Sequence, residues 1–187
     1  AKNVVEESGE LQIQSSTSTE HRTLLDGSFL TRHFLLPTGN WVFDEIRRPF
    51  VLLRDGIRWL AVEIKFGQPY AETLEGDYPR WSPERTSARA VFLKKNELWL
   101  WTMGEAPTLL WRQSEPLVQV VWHRSGTVLL VADRTHLFAL DLAAPTTGLT
   151  APLATFDDIK DLTIIDRTPS LIASKDGKSG IWRLPIE

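Results

Sequence analysis

The chain has 187 residues, 42% hydrophobic and 24% charged, a globular composition long enough to bury a core without covalent staples. It contains no Cys, which excludes disulfides, thiolate zinc sites, iron–sulfur clusters and a thiol nucleophile. A formal net charge of −3 argues against a nucleic-acid binder that works by phosphate neutralisation, while eight Trp exceed the usual share several-fold.

In chain order, Ala1 to Ser18 is polar and lacks the apolar stretch of a signal peptide. No window approaches the roughly 20 apolar residues of a spanning helix, so no membrane insertion by this chain is expected. Residues 1–29 read as an N-terminal leader or a partial unit, with Ser15–Thr19 a loop. Thr31–Leu36 is a short apolar run directly before the first of four units. The first unit predicts strands at Trp41–Ile46, Phe50–Arg54, Arg58–Lys65 and Ala71–Leu74. The second predicts Tyr78–Trp81, Arg89–Leu93, Glu97–Thr102 and Thr108–Arg112, and the third Leu117–His123, Thr127–Ala132, His136–Leu142 and Pro152–Phe156. The last predicts Asp161–Ile165, Ser170–Ser174 and Gly180–Ile186, one strand fewer than its predecessors. Asp55-Gly56, Lys95-Asn96, Ser125-Gly126 and Asp176-Gly177 place residues tolerant of positive φ between apolar runs, as hairpins require.

The units repeat. Trp81 and Trp122 lie 41 residues apart; a step of 40 back reaches Trp41 and a step of 41 forward reaches Thr163. A second series, Trp59, Trp99, Phe138 and Trp182, is spaced by 40, 39 and 44. The fold class is therefore all-β, a β-propeller of about four four-stranded blades of about 40 residues each. The blades occupy residues 37–76, 77–114, 115–156 and 157–187 within a propeller region of 30–187. Aromatic residues fill the wedge between such sheets, so the Trp residues are read as packing rather than ligand-stacking. Trp99 and Trp101 alternate with Leu98 and Leu100, which predicts a strand apolar on both faces.

Segments such as Val-Val-Trp-His-Arg-Ser-Gly-Thr-Val-Leu-Leu-Val and His-Leu-Phe-Ala-Leu-Asp-Leu carry a resemblance to bacterial β-propellers of the tryptophan–aspartate-repeat or TolB-like superfamily. More narrowly, the chain is similar to the propeller region that follows PEGA-type modules. The resemblance covers roughly Asn40 to Glu187 and implies a rigid platform for protein, peptide or glycan partners. No unit carries the Trp-Asp dipeptide or the Gly-His pair, so the hydrogen-bond tetrad of that subfamily is assigned to no residue here. Three closures stay open. One is a four-bladed ring in which Thr31–Leu36 supplies the fourth strand beside Gly180–Ile186. The others are an excerpt of a larger propeller and a half-ring that forms a homodimer.

No catalytic, cofactor or metal signature emerges. Asp-Gly-Lys-Ser-Gly at 176–180 lacks the first glycine of a phosphate loop, since residue 172 is Ile, and reads as a turn. His123 and His136 flank a hairpin near Asp133, an arrangement expected to be strand-end residues rather than a metal site. The acidic groups Glu72, Glu75, Asp77 and Glu84, and Asp157, Asp158 and Asp161, are expected on a solvated surface. Loops that join an outer strand to the next inner strand (residues 38–40, 75–78, 114–116 and 157–159) should gather on one face. They form a candidate binding rim of Glu75, Asp77, Tyr78, Glu115, Asp157 and Asp158, an acidic collar suited to a basic or polar partner. The sequence thus predicts a non-catalytic scaffold or protein-interaction platform able to assemble with itself. The alternative is a polysaccharide hydrolase or lyase using channel carboxylates, which needs two such groups set across a cleft.

Overall fold

The computed structural model describes residues 2–7, 10–15, 21–25, 42–47, 50–56, 58–63, 70–84, 88–143, 151–166 and 168–184. The predicted strand Thr31–Leu36, the loop 38–40 and Trp41 lie outside the described residues. The chain divides into two compact units, Ala1–Glu75 and Gly76–Glu187. All regular structure among the described residues is antiparallel β.

The first unit holds two meanders. β1 (Lys2–Glu7), β2 (Glu10–Ser15) and β3 (His21–Leu25) form a three-stranded sheet within the segment read as leader or partial unit. β4 (Val42–Arg47), β5 (Phe50–Asp55), β6 (Arg58–Glu63) and β7 (Tyr70–Glu75) form a four-stranded sheet in chain order. Phe50 to Leu53 and Trp59 to Val62 are buried without alternation, the pattern of strands covered on both faces.

The second unit holds three sheets. β8 (Asp77–Trp81), β9 (Arg89–Lys94), β10 (Glu97–Thr102) and β11 (Thr108–Arg112) form the first. β12 (Leu117–Trp122), β13 (Val128–Asp133), β14 (His136–Asp141) and β15 (Ala151–Thr155) form the second. β16 (Asp158–Ile165), β17 (Thr168–Lys175) and β18 (Lys178–Arg183) form the third, which among the described residues has three strands, with β18 outermost. The expected blades are thus three complete four-stranded sheets and a three-stranded one. The inner strand β12 lies against both β8 and β16, so the sheets stack face to face around their first strands. Val91, Leu93 and Leu98 pack on Val120, Trp122, Leu129 and Val131 of the middle sheet. Its opposite face, Val121, Leu130, Ala132 and Leu137, packs on Ile159, Leu162, Leu171 and Ala173. Each such side chain removed from water contributes roughly 1.5–3 kcal/mol, which is why the stack holds without disulfides.

The tryptophans pack between sheets, but the repeat that places them is not the one read from spacing. Counting each ladder from its tight turn, Trp81–Ala90–Trp101, Trp122–Leu129–Leu140 and Leu162–Leu171–Trp182 occupy the same cross-strand row. Leu162, not Thr163, is therefore the counterpart of Trp122, and Trp182 corresponds to Trp101 rather than Trp99. Trp59 pairs with Arg54, one step nearer the turn than Trp99 with Phe92, so it faces the other side of its sheet. The cause is unequal connections between elements: the third strands begin at Arg58, Glu97, His136 and Lys178, steps of 39, 39 and 42 residues, so equal spacing along the chain is not equal register. β10 is also less apolar than predicted. Trp101 is buried, whereas Trp99 is half-buried, with its indole N–H donated to Glu97 Oε2 at 2.8 Å and the Lys94 ammonium 5.4 Å from its ring.

Gly76 opens the second unit where no side chain fits. A Cβ there would meet the Phe92 ring and approach the Leu93 carbonyl oxygen to 2.8 Å. Gly76→Ala is expected to destabilise the protein by about 1–3 kcal/mol, measured by urea unfolding. An unchanged midpoint would mean that β8 is not held against β9 at this point.

Candidate interaction rim

In these meanders the start of the first strand, the second turn and the end of the fourth strand share one end of each sheet. In the second unit backbone bonds lock that end together. Leu117 N–H donates to the Lys95 carbonyl at 2.8 Å and Gln113 N–H to Asn96 at 3.1 Å. One repeat later, Ile159 N–H donates to Arg134 and Phe156 N–H to Thr135, both at 2.7 Å. The same two bonds recur between successive sheets, so the entry to each sheet is fixed by the turn of the one before.

The expected site residues distribute as follows. Asp77 is exposed on β8 opposite Leu93, and Tyr78 follows it on the same strand. Glu115 is exposed in the β11–β12 connection, its carbonyl accepting from Gln113 Nε2 at 3.0 Å. Asp157 is exposed, and its Oδ2 accepts from Gly177 N–H at 3.2 Å. Asp158 pairs with Arg134 at 3.2 Å and with Lys160. The hydrogen bond from Lys160 is the main reason its carboxyl lies below the usual range, against partial burial and with help from Arg134. Glu75 ends β7 in the first unit, exposed and paired across the ladder with Arg58. The second unit brings Asp77, Glu115, Asp157 and Asp158 to one end, but Lys94, Lys95, Arg134, Lys160, Lys175 and Lys178 stand at that end too. The rim is mixed in charge, not an acidic collar.

Sequence reasoning passed over the polar groups that hold this rim. Asp133, at the end of β13, is buried, and its Oδ1 accepts from Thr135 N–H at 2.8 Å and His136 N–H at 2.6 Å. Its Oδ2 receives Gln113 Nε2 at 3.4 Å from the preceding sheet. Burial by itself would push this carboxyl up; the Thr135 and His136 amides, the His136 charge and Gln113 together bring it below its ordinary value. The signal was present as Asp-Arg-Thr-His, a carboxylate placed to close its own turn. Asp161, expected on the solvated surface, is half-buried: its Oδ1 accepts from Leu162 N–H at 2.8 Å and from Gln119 Nε2 at 3.1 Å. Gln119 is itself buried on β12, so this bond ties two inner strands together.

His123 and His136 do not meet. His123 follows β12 and contacts Ser125 Oγ at 3.1 Å, whereas His136 begins β14 at the opposite end of β13, 3.3 Å from the Asp133 carboxylate. Among the described residues no group of three His, Asp or Glu could hold a metal ion. The carboxyls with displaced acidity among the described residues, Glu97, Asp133 and Asp158, lie below their ordinary values. In the segment 176–180 the turn is the two-residue hairpin loop Asp176-Gly177, with φ 52° and 71°, and the remaining three residues begin β18.

The sequence matches no family model and no curated protein. The structure is similar to Kluyveromyces lactis Hsv2 with a complete loop 6CD, at a TM-score of 0.57 and 9% identity, covering 88% of this chain and 52% of that one. A second Kluyveromyces lactis Hsv2 structure gives a TM-score of 0.54 and 8% identity, covering 92% of this chain and 58% of that one. The chain thus spans about half the length of these solved proteins. At such identity the likeness concerns the fold alone, and together with the register it shows the sheets of this chain to be β-propeller blades.

Proposed function

We propose that the chain is a non-catalytic β-propeller platform for protein contacts, which include assembly with a second copy. The observation that carries this reading is the division of labour at the rim. Buried polar groups (Asp133, Gln119) are spent on bonds that hold strands and sheets in place, while exposed ones (Asp77, Glu115, Asp157) sit on backbone so fixed. Such an arrangement presents side chains rigidly, which lowers the ordering cost of binding. Tryptophan–aspartate-repeat propellers commonly serve as binding platforms, and the resemblance to propellers that follow PEGA-type modules supports a role beside other modules.

The test is cross-linking capture of partners from the native source, with wild type beside the triple variant Asp77→Asn, Asp157→Asn, Asp158→Asn. The variant is expected to lose at least one partner while keeping its unfolding midpoint. Capture unchanged for every partner would remove the rim from consideration. Light-scattering mass addresses the self-assembly arm, where a stable dimer is the expected result.

A further inference from the structure

Within the second unit a row of rings lines the seam between two sheets. His136, Phe138 and Leu140 alternate along β14 and so share a face. Leu140 packs with Val91 and Leu98 of the preceding sheet, and Trp111 of β11 lies against the same cluster. Trp111 meets the Phe138 ring edge-on, with centroids 4.9 Å apart and planes at 65°, and His136 follows at 5.8 Å. All three rings are half-buried, and Pro152, across the ladder from Phe138, is exposed.

Two polar atoms of this row are uncommitted. Trp99, Trp122 and Trp182 donate their indole N–H groups to Glu97 and to the Arg80 and Ala173 carbonyls respectively. The Trp111 N–H has no hydrogen-bond partner among the described residues. His136 Nδ1 lies 3.3 Å from the Asp133 carboxylate and 2.9 Å from Thr135 Oγ1, which itself donates to Asp133 Oδ1 at 3.4 Å. Since a carboxylate only accepts, the neutral ring carries its proton on Nδ1 and keeps the Nε2 lone pair, which no described residue engages. The charged neighbours are already taken: Arg112 by Glu97, and Asp133 by the Thr135 and His136 amides and Gln113. The seam mouth thus offers aromatic surface, one donor and one acceptor.

We propose that this seam is a docking site for an uncharged, proline-bearing segment of a partner protein. A proline ring sits in the notch between Trp111 and Phe138, a segment carbonyl accepts from the Trp111 N–H, and a Tyr hydroxyl donates to His136 Nε2. Such segments are ordered as polyproline II before binding and leave their carbonyls free for a donor. Rings at 65° make an angled notch, not the flat shelf on which a sugar ring stacks, which favours peptide over glycan. The ring steps of 4.9 and 5.8 Å match about three residues of polyproline II at about 3.1 Å each, so the segment reads Pro-x-x-Tyr. The inference deepens the platform reading, on which it rests, by naming a partner chemistry at residues outside the candidate rim.

The probe is the peptide Pro-Pro-Pro-Pro-Tyr, amidated at its C-terminus and labelled with a fluorophore at its N-terminus. Saturable anisotropy is expected with the full chain. Trp111→Phe keeps a ring but removes the N–H, and is expected to weaken binding about fivefold. His136→Asn keeps a donor toward Asp133 but removes the Nε2 acceptor, with a loss of the same size. Circular dichroism checks that both variants fold. Replacing the peptide's Tyr by Phe should cost about fivefold with wild type and nothing with His136→Asn, a coupling that a purely structural histidine would not produce. Absence of saturable binding, or equal affinity of wild type for the Tyr and Phe peptides, overturns the proposal. Displacement of the peptide by maltohexaose overturns it too, since the seam would then belong to a glycan. The rim triple variant separates the two readings. If it loses partners but keeps the peptide, the seam stands independently; if it loses partners while wild type fails to bind the peptide, only the seam proposal falls.

Discussion

Replacing Asp133 with Ala is expected to lower the unfolding free energy by about 2–4 kcal/mol, the largest loss from any single polar group in the second unit. The carboxylate is buried and closes its own turn through the Thr135 and His136 amides while receiving Gln113 from the neighbouring sheet. Ala would leave these donors facing a space with no acceptor. The same group sets an acid limit. Its folded pKa is lower than its unfolded value, so its contribution is fully present above about pH 4, the ordinary carboxyl range. That contribution is lost as pH falls through the folded value. Urea unfolding followed by Trp fluorescence between pH 7 and 3 should show a shallower acid decline for Asp133→Asn than for wild type. Equal declines would assign the acid sensitivity to other carboxylates.

Trp122→Ala is expected to cost about 3–5 kcal/mol. The Trp122 ring is buried beside Leu129 and Leu140, its Nε1 donates to the Arg80 carbonyl of the adjacent sheet at 2.8 Å, and the Arg89 guanidinium lies 5.8 Å from the ring. Truncation opens a cavity at the seam between two sheets and removes a bond that crosses it. Trp122→Phe should retain most of the apolar fill and lose chiefly the bond, a cost of about 1 kcal/mol. The ratio of the two losses in urea melts measures how much of the seam is packing. A Phe variant as damaged as the Ala variant would make the hydrogen bond, not the ring, the dominant element.

Strand positions were legible in the sequence because short apolar runs ended by Asp-Gly, Lys-Asn or Ser-Gly leave little choice. The runs at Glu97–Thr102 and Thr108–Arg112 were read to the residue, and the others in the described part fall within about three. Register was not legible. The 41-residue step from Trp81 to Trp122 is a true structural repeat, whereas the step to Thr163 misses Leu162 by one. Connections of unequal length shift the register from one sheet to the next, and a one-residue shift moves a side chain to the other face, so spacing along the chain cannot reveal it. The candidate rim divided in the same way. Its loop positions followed from strand order, but the pairing of Asp158 with Arg134 depends on two segments 24 residues apart meeting at one turn.

The sequence by itself determined an all-β chain of repeating four-stranded units, since short apolar runs, turn chemistry and period length are local properties. Its eight tryptophans and lack of Cys already pointed to sheets held by aromatic packing. The tertiary structure decided which tryptophan answers to which, and that Asp133 and Asp161 are internal ties rather than surface charge. It also decided that lysines stand among the acids of the rim and that Lys175 and Lys178 lie side by side across the β17–β18 ladder. Each of these depends on where separate strands come to lie against one another, and that is set by register and stacking across the chain, not by neighbours along it.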